Sequence, residues 1–139
     1  MRAFLRLTIA TAICAAAITA AQADQLADIK ARGKLICGTM GTMEPFSFQD
    51  PKTRETVGYE VDLCQAVAKS LGVGLELKLL AVEARIPELT QGRVDILSAA
   101  LGYSDERATQ IDYSLTSFVS RQMLLVKKGS GIPKIEDLK

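Results

Sequence analysis

The residues best suited to recognise an anion lie in the stretch SAALGYSDER, residues 98–107. Its Arg107 carries a planar guanidinium that can donate two parallel hydrogen bonds to a carboxylate, whereas a lysine supplies only a point charge. Ser104 suits the N-cap of a short helix, and Asp105 and Glu106 favour its first turn. The amides at such a helix start and Arg107 can therefore converge on one carboxylate.

Ala100 and Gly102 precede this arginine at the end of a predicted strand. Ligands of open α/β sheets collect at the carboxyl ends of the strands, which favours a binding role for the stretch. The alternative interpretation is that Arg107 pairs with one of its acidic neighbours on the surface and that Gly102 only forms a turn. Both interpretations stay open at the level of the residues.

A second candidate binding segment is GTMEPFSF, residues 41–48, which follows an earlier predicted strand. Met43, Phe46 and Phe48 surround Pro45 there, and apolar side chains in a stiffened loop can form the wall of a ligand pocket. The alternative is that each aromatic ring merely anchors the loop in the core. The pairing of this segment with the Arg107 segment favours the pocket.

Several kinds of catalytic site are excluded by the composition. The chain has no histidine, which removes Ser-His-Asp and Cys-His arrangements. No glycine-rich phosphate loop occurs, and Cys37 and Cys64 lack the paired spacing of a structural metal site. We therefore expect no metal and no cofactor.

The elements that must position these residues alternate between helix and strand. Apolar residues between 59 and 71 recur at spacings of three and four, and Gly72 follows as a stop. The predicted helices span residues 25–32, 59–71, 84–91 and 105–110, and the predicted strands span residues 34–39, 74–79, 93–100 and 122–126. This alternation predicts an α/β fold with a mostly parallel sheet flanked by helices.

The two cysteines of these elements have two interpretations. Cys37 falls in a predicted strand and Cys64 on the apolar face of a predicted helix. The pattern favours two inert buried thiols, with a disulfide as the alternative in an oxidising compartment.

Residues 1–23 have the pattern of a cleaved secretory signal peptide. Arg2 and Arg6 precede an alanine-rich apolar run that closes with a small-x-small triplet at Ala21–Ala23. Removal of both arginines takes the formal charge from +1 to about −1. A near-neutral exported chain indicates neither a nucleic-acid partner nor a basic membrane-surface helix.

A set of motifs along the chain matches one known family. In chain order they are Gly38-Thr39 with Glu44-Pro45-Phe46-Ser47-Phe48, then Val57-Gly58-Tyr59-Glu60-Val61-Asp62-Leu63, then Arg85-Ile86-Pro87-Glu88-Leu89 with Gln91-Gly92-Arg93-Val94-Asp95-Ile96, then Ser104-Asp105-Glu106-Arg107, and Asp112-Tyr113-Ser114. With these motifs the chain resembles the N-terminal part of family 3 extracellular solute-binding proteins, which serve bacterial uptake transporters for amino acids and similar solutes.

The resemblance implies a periplasmic binding protein-like type II fold, in which two lobes close over a ligand. It implies that Arg107 binds the ligand carboxylate and that Ala100 and Gly102 assist. It also places Met43 and Val82 at positions that are often aromatic or apolar in the pocket wall, with Phe46 close by. Met43, Val82 and Gly102 depart from the commonest residues, which leaves room for a small organic acid other than a standard polar amino acid.

The resemblance also implies a domain organisation. Residues 24–118 correspond to the first lobe, and residues 119–139 to the hinge and a truncated start of the second lobe, which is otherwise missing. An unpaired strand at residues 123–126 would expose an apolar edge and favour self-association.

The expected function is a periplasmic substrate-binding component of an ABC importer, which captures a small carboxylate-bearing solute and delivers it to a membrane permease. A catalytic relative with the same fold, such as a cyclic-acid dehydratase, is one alternative. A detached sensor module is another.

Overall fold

A parallel sheet with flanking helices forms the centre of the computed structural model, which describes residues 24–137. The helices are α1 (Gln25–Arg32), α2 (Tyr59–Leu71), α3 (Arg85–Thr90) and α4 (Asp105–Ala108), with 3-10 turns at Val82–Ala84 and Ile135–Asp137. The strands are β1 (Lys34–Thr39), β2 (Thr42–Met43), β3 (Ser47–Gln49), β4 (Thr56–Val57), β5 (Gly74–Leu79) and β6 (Ile96–Leu97). The predicted signal peptide lies outside the described residues.

The main sheet has the strand order β5-β1-β6, and both pairings are parallel. Its central strand needs a glycine, because a Cβ at Gly38 would lie 2.7 Å from side-chain carbons of both Leu80 and Leu97. Between β1 and β5 the chain crosses over through α2, as a parallel pairing requires. The predicted α/β fold with a parallel sheet and flanking helices is confirmed, and the described part of the chain is a single lobe.

The first two helices are bounded by local sequence signals. The Asp24 carboxylate caps α1 by accepting a hydrogen bond from the Leu26 amide at 3.1 Å. Gly33 and Gly72 end α1 and α2 in the left-handed conformation, each with φ of 72°. These signals agree with the predicted helix ends.

The core lies between α1, α2 and the sheet. Ile29, Leu35 and Ala68 form its buried cluster, with Leu71 and other partly buried aliphatic side chains packed against it. Burial of such side chains stabilises the fold by about 25 cal/mol for each Å² of apolar surface removed from water.

A disulfide joins the sheet to α2. Cys37 on β1 and Cys64 on α2 are both fully buried, and their sulfur atoms are bonded with a Cα–Cα distance of 6.1 Å. The structure therefore has the alternative that the sequence left open, and not the two free thiols that the sequence favours.

Strand β6 is much shorter than the strand predicted at residues 93–100. The Asp95 carboxylate accepts a hydrogen bond from the Ile36 amide at 2.7 Å and also contacts Arg32. Because a side chain occupies this amide of β1, the paired residues begin only at Ile96, although the Asp95 amide still donates to the Ile36 carbonyl at 2.8 Å. At the other end, Ala100 has a left-handed φ of 48°, which is incompatible with an extended strand.

Two further expectations of local structure are wrong. Residues 41–48, expected as a loop, contain β2 and the first two residues of β3, and these strands form a small antiparallel sheet with β4. Residues 122–126 do not form the predicted strand. Met123 and Leu125 there are 89% and 100% exposed, because no neighbouring strand among the described residues pairs with them.

Helix α4 ends at Ala108, two residues before the predicted end. Over residues 24–137, none of the helices combines the length and the apolar character that crossing a bilayer demands.

Candidate functional site

Three loops meet at the carboxyl edge of the main sheet. They follow β1 at Met40, β5 at Leu80 and β6 at Ser98. Because the three strands are neighbours and parallel, these loops lie at the same edge. They contain most of the residues that the sequence predicts for ligand binding.

The Arg85 side chain contacts all three loops. It is only 7% exposed, and its Nη1 donates to the carbonyl oxygens of Ala99 at 2.7 Å and Ala100 at 3.3 Å. Its Nε donates to the Val82 carbonyl at 2.9 Å, and its Nη1 lies 3.9 Å from the Met40 sulfur. One buried guanidinium thus ties together the ends of β1, β5 and β6.

Glu60 holds the same region from the other side. It is 6% exposed in the first turn of α2, and its Oε1 accepts a hydrogen bond from the Ala100 amide. Its own amide donates to the Phe46 carbonyl at 2.8 Å. Burial raises the pKa of the Glu60 carboxyl, against the smaller opposing effects of the Ala100 amide and the Arg85 charge.

The carboxylate of Glu60 is only half satisfied. Its Oε2 is buried and has no hydrogen-bond partner among the described residues. A buried polar group without a partner costs about 1–3 kcal/mol, so this side chain is not placed here for stability alone.

Ala100 has a strained backbone. Its φ of 48° lies in the left-handed region, which disfavours residues with a Cβ by about 1–2 kcal/mol. Its amide is bound by Glu60 and its carbonyl by Arg85, so the conformation is held by two charge-assisted hydrogen bonds.

Arg107 lies in very different surroundings. It is partly exposed, and its Nη1 donates to the Gly102 carbonyl at 2.8 Å. The Tyr113 hydroxyl donates to the same carbonyl at 3.1 Å. Within the described chain no carboxylate forms an ion pair with Arg107, so the surface pairing weighed from the sequence does not occur. The remaining N–H groups of the guanidinium are available for an anion.

The apolar candidates divide into two groups. Met43 and Val82 are 38% and 49% exposed, and Val82 lines an open groove of about 540 Å³ together with Met40 and Thr42. Met43 is the next residue after Thr42 in the sequence, but it does not line the groove. These exposed side chains remain suited to contact the apolar part of a ligand.

Phe46 belongs to an aromatic cluster at the crossing to residues 117–118. Its ring packs edge-on against Phe118 with a centroid distance of 4.9 Å and against Tyr59 at 6.5 Å. The Tyr59 hydroxyl donates to the Ser117 carbonyl at 2.7 Å. Phe46 is therefore held by aromatic neighbours that are themselves partly exposed, and its contact with a ligand stays a prediction.

Sequence reasoning did not identify Glu60 and Arg85 as site residues. A signal for Glu60 exists, because it precedes Cys64 and Ala68 at intervals of four and so falls on the buried face of α2. A charged residue on that face needs a buried partner. For Arg85 the only signal is its place within a motif of the resemblance.

A comparison with protein families decides the classification of the chain. Residues 35–137 match the model of the bacterial extracellular solute-binding proteins, family 3. The chain belongs to this family. The resemblance stated from the motifs is therefore confirmed.

Several relatives within the family are named for the amino acid that they bind. A glutamine-binding protein from Geobacillus stearothermophilus is 35% identical over 125 residues, which cover 87% of this chain and 47% of the relative. The chain spans about half the length of the curated relatives it matches.

Solved structures of the family have the same lobe. An ancestral cationic amino acid solute-binding protein superposes with a TM-score of 0.63 at 36% identity, covering 66% of this chain and 39% of that one. The arginine-bound form of domain 1 from the arginine-binding protein TmArgBP gives a TM-score of 0.57 at 32% identity, covering 59% of this chain and 64% of that one.

Proposed function

We propose that the protein is a substrate-binding component of an ABC importer and binds the α-carboxylate of an amino acid or a similar small acid. The observation that carries this proposal is Arg107, a guanidinium at the loop edge of the sheet that no carboxylate of the described chain neutralises. Membership of the extracellular solute-binding family supports it.

In this proposal Arg107 forms a bidentate pair with the ligand carboxylate, and backbone groups at Ala100 and Gly102 complete the contacts. Met43 and Val82 contact the apolar part of the ligand, and Phe46 acts indirectly through its aromatic cluster. The pair between Arg107 and the carboxylate gains strength when water is excluded, because the local dielectric constant then falls.

A single lobe of this kind can serve as the carboxylate site. The arginine-bound form of domain 1 from TmArgBP supports this part of the proposal, because that structure is of one domain. We expect the affinity of one lobe to be modest, since one face of the ligand stays in water.

We further propose a periplasmic location, reached through the predicted signal peptide at residues 1–23, and a membrane permease as partner. The lobe boundary at residue 118 and the self-association of the exposed segment at residues 123–126 stay predictions.

Catalysis is the second candidate, since an ancestral cyclohexadienyl dehydratase is also a structural relative, with 32% identity. One oxygen of the Glu60 carboxyl accepts from the Ala100 amide and the residue is 6% exposed, which favours binding over acid-base chemistry by this residue. Consumption of a cyclohexadienyl acid by the purified protein would establish the catalytic alternative.

The test of the binding proposal is a thermal-shift screen with standard L-amino acids and small organic acids, followed by calorimetry. Binding to the native state must raise the melting midpoint. We expect one class of amino acid to raise it in the native protein and not in an Arg107→Ala variant. Lys52→Ala, which removes a positive charge from an exposed turn, is the matched control. Equal affinity in the native protein and in Arg107→Ala contradicts the proposal.

A further inference from the structure

Two buried ions hold the backbone that leads into the proposed carboxylate site. The Ala100 amide donates to Glu60, while the carbonyls of Ala99 and Ala100 accept from Arg85. Hydrogen bonds with an ionised partner are roughly twice as strong as those between neutral groups. This short segment is therefore fixed more firmly than its loop position suggests.

Neither ion is placed to touch a ligand directly. Glu60 and Arg85 are 6% and 7% exposed, and the hydrogen bonds that their side chains form within the described chain go to backbone groups of the loops, except for the contact of Arg85 with the Met40 sulfur. Any effect on binding must therefore act through the segment they hold.

A short connection leads from this segment to the binding guanidinium. Gly102 follows Ala100 by two residues, and its carbonyl accepts a hydrogen bond from Arg107 Nη1 at 2.8 Å. A Cβ built at Gly102 would have no neighbour within 4 Å, so no group packs on that side of the residue. The Gly102 carbonyl is held by the Tyr113 hydroxyl at 3.1 Å and, through two residues of backbone, by the contacts at Ala99 and Ala100.

We propose that Glu60 and Arg85 are positioning residues, which set the Ala99–Gly102 backbone and through it aim Arg107 at the ligand carboxylate. The inference rests on the proposed function. It explains why the strained φ of Ala100 and the half-satisfied Glu60 carboxylate coexist at one point of the fold.

A purely structural role predicts a different result from a positioning role. If the two ions only stabilise the lobe, their loss lowers the melting temperature but leaves the preference for a carboxylate intact. If they aim Arg107, their loss lowers that preference specifically. The discriminating quantity is the ratio of the Kd for an amino acid amide to the Kd for the free amino acid.

The experiment measures this ratio by calorimetry with L-arginine against L-argininamide and L-glutamine against L-glutaminamide. We expect Glu60→Gln to weaken binding of the free acid about tenfold and to change binding of the amide less than about twofold, so that the ratio falls. Glu88→Gln is the matched control, because its carboxylate pairs with Lys78 and Arg93 instead of the loop. A ratio that is unchanged in Glu60→Gln, or that falls equally in Glu88→Gln, overturns the inference.

A second substitution supplies a rescue. Ala100→Gly keeps the amide and the carbonyl, and glycine adopts the left-handed φ without strain. We expect the double variant Glu60→Gln with Ala100→Gly to recover part of the lost ratio, because the backbone then needs less restraint. Absence of any recovery argues against positioning.

One measurement needs no substitution at either ion. In the ligand-free native protein, amide hydrogen exchange at Ala100 should be slow, because Glu60 holds this amide. Exchange at the rate of an open loop overturns the inference even if Glu60→Gln does not fold.

The two proposals fail in distinguishable ways. If the native protein binds none of the amino acids and small acids of the thermal-shift screen, or if Arg107→Ala binds as well as the native protein does, the proposed function fails and takes this inference with it. If binding depends on Arg107 and the ratio survives in Glu60→Gln, only the positioning role fails.

Discussion

Arg85 and Arg107 show how the same side chain serves two purposes within one edge of a sheet. Arg85 is buried, and its donors reach the carbonyls of Val82, Ala99 and Ala100. Arg107 is partly exposed, and its side chain reaches a single carbonyl, that of Gly102.

The difference teaches which arginine is available to a ligand. A buried guanidinium whose Nε and Nη1 donate to backbone carbonyls, as in Arg85, holds loops together and is poorly accessible to an anion. A partly exposed guanidinium with free donors and no ion pair, as in Arg107, can offer both its charge and its planar donor geometry to a carboxylate. We expect substitutions at the two positions to have opposite effects on stability and on binding.

The largest expected effect is on stability at the buried position. Arg85→Ala leaves the carbonyls of three residues without their donor and Glu60 without a nearby cation. We expect a loss of about 3 kcal/mol in the free energy of unfolding. Denaturant unfolding checks this value, and a loss comparable to that of a surface substitution would erase the distinction between the two arginines.

The next effect is on affinity at the exposed position. Arg107→Ala removes the proposed partner of the ligand carboxylate, and we expect affinity for the amino acid to fall at least about tenfold. Stability should change by less than about 0.5 kcal/mol, as for other surface substitutions. Calorimetry and denaturant unfolding on the same variant separate the two quantities. A large loss of stability here would show that Arg107, like Arg85, is structural.

The pH dependence of stability allows a second comparison, between the acidic residues Glu60 and Glu88. The pKa of Glu60 lies above its ordinary value of 4.5, so the folded state binds this proton more tightly and the group's contribution to stability decreases as pH rises above 4.5. Arg93 and Lys78, the ion-pair partners of Glu88, lower the pKa of that carboxyl to about 2. Glu88 therefore stabilises the fold above pH 4.5 and loses that effect as pH falls towards 2.

Unfolding curves of Glu60→Gln and Glu88→Gln across pH 2 to 7 check these signs, since each variant lacks one of the two dependences. The stability of the native protein relative to Glu60→Gln should fall as pH rises. Its stability relative to Glu88→Gln should fall as pH is lowered. The same slope at both positions would contradict the assignment.

The smallest expected effect concerns the support of Arg107. Tyr113→Phe removes the second donor to the Gly102 carbonyl, and we expect affinity to fall about threefold, as for the loss of one neutral hydrogen bond. Tyr103→Phe is the control, because its hydroxyl donates to the exposed Asp105 carboxylate. Equal effects in the two variants would show that the hydrogen bond to the Gly102 carbonyl has no specific role in binding.

The sequence predicts the regular part of the fold well because its signals are local. Gly33 and Gly72 end their helices where left-handed caps are needed, and alternation of helix and strand implies the parallel sheet. The strand at residues 93–100 was overestimated because the Asp95 side chain takes the place of a backbone partner, which depends on a residue 59 positions away. Such long-range competition leaves no periodic pattern.

The residues of the candidate site also differ in how well the sequence predicts them. Arg107 is recognisable from its chemistry and its place after a strand. Glu60 and Arg85 act through backbone groups of a loop that is distant in sequence, so their importance emerges only when the fold brings them to Ala100.

The bond between Cys37 and Cys64 gives this lobe a stability that depends on the compartment it occupies. A disulfide between residues 27 positions apart in the chain contributes about 3 kcal/mol to stability. The reducing cytosol prevents such a bond from forming. If the chain is exported as proposed, it lacks the tie between β1 and α2, the helix whose first turn carries Glu60, until it reaches an oxidising compartment. It would then be easier to unfold while it crosses the membrane than after it has crossed.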